Sequence, residues 1–431
     1  FTTPADGRDG IGALHLAAVS GGVLTYVGRV GSGFTASELV ALRRRLETTE
    51  RTAPPVEGDL PSGSEHHWVE PRLVAEVAFT EITSSGQLRH PVFRRWRDDK
   101  SVRDCTRDDL PAAEPPPRAE APTPEAPPRT IEVSRPEKLF WPAEGYTKGD
   151  LFDYYATVAP RLMPFLADRP LVLDRYPDGI EGKSFYQKNA PEFAPEWIRT
   201  ETVWSEEGDK ETEYLVCDSR EALLYVVNLG TIPLHVWSSR IGSLGRPDWC
   251  ILDLDPKEAP FEHVVDVARA IHALCRRIEL PSFPKTSGGS GLHILLPLGG
   301  QLTHEQSRQL AELIARIIVQ QLPDIATVAR AVSARDDKVY LDYVQNGYGK
   351  LLVAPYSVRP YPGAKVSTPL SWSEVTRRLD PAHFTLVSLP ERLAGEARCH
   401  LAPVLATRPD LPAVLGRLAQ ELEAVSDADS P

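Results

Sequence analysis

The chain has 431 residues, of which 42% are hydrophobic and 25% charged, with a formal net charge of −12. That is enough apolar material for two to four globular domains, and no run of about eighteen apolar residues or charged-then-apolar leader marks a membrane span or export signal. An acidic chain repels nucleic acid at long range, so any nucleic-acid partner must be held by local basic clusters such as Arg43–Arg45, Arg89–Arg97 and Arg335–Arg359. With neither span nor export signal the chain is expected to be cytoplasmic, and the five cysteines, scattered without a CxxC pair, are expected to be reduced thiols. The one methionine is Met163, so Phe1 is expected to be an internal position of a longer protein.

Residues 1–103 read as β with one helix. GALHLAAV and LTYVGRV form a predicted strand pair, ASELVALRRRL has helical spacing at Leu39, Leu42 and Leu46, and LVAEVAFTEI alternates Leu73, Ala75, Val77 and Phe79 on one face. A small β-barrel with an inserted helix is the expected fold. Gly28, Gly31 and Gly33 hint at a phosphate loop, but no GxxxxGKS or GxxxxGKT occurs, and they are read instead as glycines at the end of a hairpin. FTTPADGRDGIGALHLAAV, YVGRVGSGF, WVEPRLVAEVAF and LRHPVFRRWRDDK resemble the C-terminal OB-fold domain of ATP-dependent DNA ligases of the bacterial ligase D branch. The resemblance implies that Arg97, Asp99 and Lys100 form an RxDK signature that orients the pyrophosphate of ATP. The nucleophilic lysine of a KxDG motif is not in this sequence, so this part alone is expected not to ligate.

Residues 104–129, crowded with Pro, Ala and Glu and lacking apolar periodicity, read as a semi-extended linker. From Thr130 to Pro431 strands and helices alternate, as in an α/β or α+β domain. TKGDLFDYYATVAPRL opens with Thr147 as N-cap and Asp150 three residues on, a capping box ahead of the apolar face Leu151, Phe152, Tyr155, Val158 and Leu162. Lys138 and Lys148 beside it are either an anion site or solvated cations. LVLDRY carries Arg175, and SFYQKN sets two aromatics beside Lys188, a mixture suited to stacking a base and pairing a phosphate, or simply to a core. His235 closes an apolar stretch, where a satisfied structural histidine is the plainer reading.

WCILDLDP, residues 249–256, then sets two aspartates into an apolar strand. Side chains of a strand alternate faces, so Asp253 and Asp255 share one surface, while Cys250, Leu252 and Leu254 share the other. Two such carboxylates suit divalent cations between them, the plainer reading being a solvated strand end. A helix is expected from about Phe261 to Ile278. TSGGSGLHILLPL follows, in which glycines 288, 289 and 291 let backbone N–H groups crowd round an anion, Ser287 and Ser290 add hydroxyls, and a strand brings in His293. Thr303 and Gln306 cap a helix to about Leu322, VYLDYVQN sets Asp342 in a strand, and LLVAPYSVR ends on Arg359.

Three strand-borne carboxylates for two ions, with donors for a triphosphate, are the requirements of two-metal nucleotidyl transfer. With EKLFWP, TKGDLFDYYATVAP, RPLVLDRYPDG, LDLDP, TSGGSGLH, LDYVQN and APYSVR, the chain resembles the polymerase domain of bacterial ligase D, in the archaeo-eukaryotic primase superfamily that serves non-homologous end joining. The resemblance implies Asp253, Asp255 and Asp342 as catalytic ligands of two Mg²⁺ or Mn²⁺ ions. It implies Ser287, Gly288, His293, Arg359, His235, Tyr186 and Lys188 as nucleotide contacts, and Lys138 and Lys148 as the grip on a DNA 5′-phosphate. The implied substrates are nucleoside triphosphates, with ATP for the parent ligase. The implied partners are gapped or overhanging DNA ends and the Ku end-binding protein, with no membrane. The sequence departs from the family's pattern at Ser290, where relatives carry a lysine, and at Arg135, where they carry an asparagine. A metal-dependent nuclease and a DNA-end-binding scaffold are the alternatives.

Overall fold

The computed structural model describes residues 1–3, 9–31, 34, 36–58, 60–61, 66–79, 81–82, 86–89, 91–97, 99–106, 129–205, 210–396 and 398–428. Gly33 and most of the expected linker lie outside them. The chain divides into two units, Phe1–Pro127 and Pro128–Pro431.

In the first unit, strand Leu14–Ser20 pairs antiparallel with Val23–Val30 across Gly21 and Gly22, whose φ values of +59° and +86° are those a two-residue hairpin turn demands. The helix Ala36–Glu47 turns Leu42 and Leu46 into a core with Phe1, Ile11, Leu14, Val30 and Phe93. Three further ladders pair Glu50–Arg51 with Trp68–Val69, Ala75–Ala78 with Val92–Trp96, and Glu81–Ile82 with Leu88–Arg89. Each sheet of this unit stays two-stranded, so the closed barrel expected from the alternation is not formed among the described residues. Alternation fixes which face is buried, whereas closure needs each strand to be long enough to pair on both edges. The unit reaches at least to Thr106, because the Val19 N–H donates to the Cys105 carbonyl at 2.7 Å.

The second unit is α+β. Its six-stranded antiparallel sheet runs Thr200–Ser205, Lys210–Val216, Pro170–Arg175, Thr231–Trp237, Leu351–Val353, with Phe185–Gln187 also paired to Pro170–Arg175. Its five-stranded sheet runs Phe283–Thr286, Leu292–Pro297, Trp249–Asp255, Val339–Asp342, Ala326–Thr327. Helix Lys148–Leu166 begins with the expected capping box, in which the Thr147 hydroxyl accepts from the Asp150 N–H at 3.1 Å and the Asp150 carboxylate accepts from the Thr147 N–H at 2.7 Å. That helix and Arg220–Asn228 cover one core, while Phe261–Arg277, His304–Gln321 and Leu411–Ala428 cover another.

The Trp249–Asp255 strand divides these cores. Trp249 and Ile251 belong to the first; Cys250, Leu252 and Leu254 belong to the second. The face of Trp249 and Ile251 continues to Asp253 and Asp255, so the carboxylates emerge where the apolar contact between the layers ends.

Candidate active site

Asp253 is the centre of a charged row that crosses the five-stranded sheet. It faces His293 on one neighbouring strand and Asp342 on the other, and His293 in turn faces Lys285. His293 Nε2 lies 3.3 Å from Asp253 Oδ1. Burial would raise the Asp253 pKa, but His293, Lys285 and Arg359 outweigh it and hold the carboxyl below its usual range. Burial, then Lys285, lowers His293 to about 4 against the raising effect of the Asp253 carboxylate. Burial raises the Asp342 pKa against the Val344 N–H that bonds it, and Asp253 raises it further.

Each carboxylate is turned to protein partners. Asp342 accepts from Tyr340 at 3.3 Å, Val344 N at 2.9 Å and Gln345 at 3.2 Å, while Asp255 accepts from Lys257 N at 3.2 Å and Arg335 at 3.0 Å. Among the described residues no three His, Cys, Asp or Glu side chains are gathered as a preformed metal-binding group. The donor chemistry nevertheless fits a hard divalent cation, since Asp253 and Asp342 face each other on adjacent strands and supply only oxygen.

These residues line a cavity of about 690 Å³ together with Ser287, Gly289, Ser290, Gly291, Arg359, Tyr361 and Lys365. The expected phosphate loop is there, but differently arranged. The Ser287 hydroxyl accepts from the N–H groups of Gly289 and Gly291, both at 3.1 Å, so those donors turn inward rather than crowd round an open anion site. Glycine is required where the loop packs: a Cβ on Gly291 would sit 2.1 Å from the Leu254 carbonyl, and one on Gly288, at φ +74°, 2.5 Å from Arg359 Cγ. Arg359 donates to the Ser287 carbonyl at 3.1 Å and to the Tyr361 hydroxyl at 3.1 Å; its Nε has no partner among the described residues.

His235, Tyr186 and Lys188 do not line this cavity. His235 belongs electrostatically to it: burial, then Arg359 and Lys285, lower its pKa to about 3. Tyr186 is 65% exposed, its ring centroid 6.2 Å from that of His235, so the aromatic pair is no core feature. Lys188 is exposed.

Lys138 and Lys148 meet in a second cavity of about 300 Å³ with Arg135, Arg175, Ser134 and Asn228. Lys148 is buried rather than solvated, donating to the Ser134 carbonyl at 2.9 Å, the Ser134 hydroxyl at 2.8 Å and Asn228 Oδ1 at 2.8 Å. Burial, then the charges of Lys138, Arg135 and Arg175, lowers its pKa to about 8. Lys138 pairs with Asp178 at 2.5 Å.

In the first unit the Arg97 guanidinium is held at both edges, by Asp99 through two bonds of 2.7 Å and by Glu76 at 3.0 Å; Lys100 is exposed. Sequence reasoning missed Lys285, the Arg335–Asp255 contact and Asn346, whose side chain accepts from Ile251 N and donates to Ile251 O, both at 2.8 Å. A lysine inside the apolar strand FPKT was the one available signal for the first.

Two family descriptions match: LigD, primase-polymerase domain, over residues 147–400, and ATP dependent DNA ligase C terminal region, over residues 7–100. The chain belongs to the LigD primase-polymerase family. It is 33% identical over 404 residues to the multifunctional non-homologous end joining protein LigD of Pseudomonas aeruginosa, covering 91% of this chain and 48% of the relative. It is 29% identical over 384 residues to the bifunctional LigD of Bacillus subtilis, covering 89% and 58%. The chain thus spans about half the length of these relatives. The solved polymerase domain from Mycobacterium tuberculosis ligase D, in complex with DNA, superposes with a TM-score of 0.60 at 31% identity, covering 65% of this chain and 99% of that one.

Proposed function

We propose that residues 130–431 form a DNA-directed nucleotidyltransferase that fills gaps and overhangs at broken DNA ends. The placement of Asp253 between Asp342 and His293, at a cavity that also presents Ser287 and Arg359, carries this reading. Asp253, Asp255 and Asp342 would hold divalent cations, Mg²⁺ or Mn²⁺, which activate an attacking 3′-hydroxyl and neutralise the departing pyrophosphate. Arg359, Ser287 and His293 hold the triphosphate, and Gly288 leaves room for the Arg359 stem. Tyr186, His235 and Lys188 attend the base and sugar. Lys138 and Lys148, with Arg135 and Arg175, receive the 5′-phosphate of the end, because clustered cations in a cavity attract a doubly charged group.

The first unit is read as the OB-fold of a ligase's C-terminal region, in which Arg97, Asp99 and Lys100 serve ATP chemistry supplied by other parts of a fuller protein. The Ku end-binding protein is the partner proposed for that protein, and the bacterial cytoplasm its place.

Primer extension on a gapped, 5′-phosphorylated duplex with labelled nucleotide and Mn²⁺ or Mg²⁺ tests the reading. Template-directed extension is expected, and its abolition in Asp253→Ala and Asp255→Ala chains that still melt normally. Near-normal extension by both variants overturns the assignment of these carboxylates.

A further inference from the structure

Of the four side chains on the row Lys285–His293–Asp253–Asp342, Lys285 alone does not reach the cavity. It is fully buried, with Nζ 2.8 Å from His293 Nδ1 and 2.6 Å from Ser367 Oγ, its hydrogen-bond partners among the described residues. A lysine amine sealed inside a sheet is costly, and an aliphatic side chain would pack there without desolvating a polar head. The position therefore calls for an explanation other than core packing.

The directions of the hydrogen bonds supply one. Ser367 donates its hydroxyl hydrogen to the Thr286 carbonyl at 2.9 Å, so towards Lys285 it accepts. At the far end of the row, His293 Nε2 faces Asp253 Oδ1, which only accepts, so Nε2 carries a hydrogen. Nδ1 is turned to Lys285 Nζ at 2.8 Å, an amine that donates, so Nδ1 is the accepting nitrogen of the ring. Lys285 Nζ bears at least two hydrogens in either protonation state and stands in line to give one. Backbone register keeps the three groups aligned, because Lys285, His293 and Asp253 are direct partners on three consecutive strands.

We propose that Lys285 is a positioning residue for nucleotidyl transfer: its Nζ–H fixes His293 as the Nε2–H tautomer and holds the ring so that this donor faces Asp253 and the phosphate cavity. Without that donor the ring is free to take the Nδ1–H tautomer, which sets a bare nitrogen against the Asp253 carboxylate. Ser367, arriving from a separate segment, anchors Nζ so that the lysine cannot swing away. The arrangement is the counterpart of the outer hydrogen bond that sets the tautomer of a metal-ligating histidine, whose loss lowers activity by about 10- to 100-fold. The inference rests on the polymerase reading of this site.

Long-range ¹H–¹⁵N spectra of the full chain labelled with ¹⁵N-histidine, with His293→Gln to assign the signal, read the tautomer directly. His293 is expected as Nε2–H in the unaltered chain and as a mixture of tautomers in Lys285→Met. Extension by Lys285→Met should fall by about 10-fold or more. In a His293→Gln background the same substitution should change the rate by less than about 2-fold, since residues acting as one unit are not additive. Should Lys285→Met not fold, Ser367→Ala, which frees Nζ from its anchor, carries both readouts. An Nδ1–H ring in an active unaltered chain, a tautomer indifferent to Lys285, or losses that multiply in the double variant overturns the inference. An unaltered chain that extends nothing overturns the polymerase reading and the catalytic half of this one, while the spectra still report the tautomer.

Discussion

Arg335 holds Asp255: its Nη1 donates to Oδ2 at 3.0 Å, and its guanidinium lies 3.9 Å from the ring centroid of Tyr340, the residue that Asp255 faces across the sheet. The guanidinium therefore stands at the carboxylate where a divalent cation is proposed, and the two compete for the same oxygen. Arg335→Ala is expected to bind Mn²⁺ about two- to fivefold more tightly in the absence of nucleotide, the scale of a partly exposed ion pair. Calorimetric titration of both chains measures this; weaker binding by the variant would show that Arg335 supports the site rather than competing for it.

Asn346 acts as a surrogate strand edge, meeting both the N–H and the carbonyl of Ile251 two residues before Asp253. Asn346→Ala leaves both backbone groups unpaired in a buried place, at a cost of about 1–3 kcal/mol each at most. A lower melting temperature, with extension reduced because the Asp253 strand loses its side support, is the expected outcome. An unchanged melt would mean that water or a shifted strand replaces the amide.

How much of this site could be read in the sequence follows from the range of each interaction. Asp253 and Asp255 were legible because a strand's two-residue period puts them on one face and the surrounding apolar run marks the strand. The capping box at Thr147 and Asp150 was legible for the same reason, being written within four residues. Lys285 beside His293, Arg335 on Asp255 and Lys148 on Asn228 depend on strand register or on segments far apart in the chain, which local pattern does not encode. The loop's inward turn was hidden too, because Ser287 can bond its own loop or a ligand with the same hydroxyl. In the first unit the alternation put Leu73, Ala75, Val77 and Phe79 on one face, and these side chains do pack against buried clusters, yet it carried no information about closing the ladders into a barrel.

The RxDK signature has no nucleophilic lysine motif to serve in this chain, and Arg97 is bound by Asp99 and Glu76. Incubated with ATP and nicked DNA, the chain is expected to form no lysine-linked AMP adduct. Labelled ATP followed by denaturing electrophoresis checks this, and a covalent label mapped to Phe1–Lys100 would contradict the division of labour proposed for the two units.

The pocket of Lys138 and Lys148 predicts both a substrate preference and its pH dependence. Lys148 titrates at about 8, lowered from 10.5 by burial first and then by Lys138, Arg135 and Arg175. Between those two values the unfolded chain binds more protons at this site than the folded one, so this lysine's contribution to stability rises as pH rises through that window. Its contribution to anion binding runs the other way, because the ammonium charge fades above about pH 8. A 5′-phosphorylated gap should therefore bind more tightly than an unphosphorylated one at pH 7, with the advantage shrinking towards pH 9. A bound phosphate favours the charged lysine, so the loss begins somewhat above the value for the free protein. Lys138→Ala should remove much of the phosphate preference while leaving extension on an unphosphorylated primer-template nearly unchanged, since its ammonium bonds only the exposed Asp178 among the described residues. Lys148→Ala should also destabilise the chain, by about 1 kcal/mol, because the hydrogen bonds of its ammonium to Ser134 and Asn228 are lost, while Ser134 is exposed and Asn228 Oδ1 keeps the Ser134 N–H. Fluorescence anisotropy with matched gapped duplexes at near-physiological salt, where general attraction to DNA is already weakened, measures the preference. Equal affinity for the two duplexes at pH 7 would remove the end-binding role from both lysines.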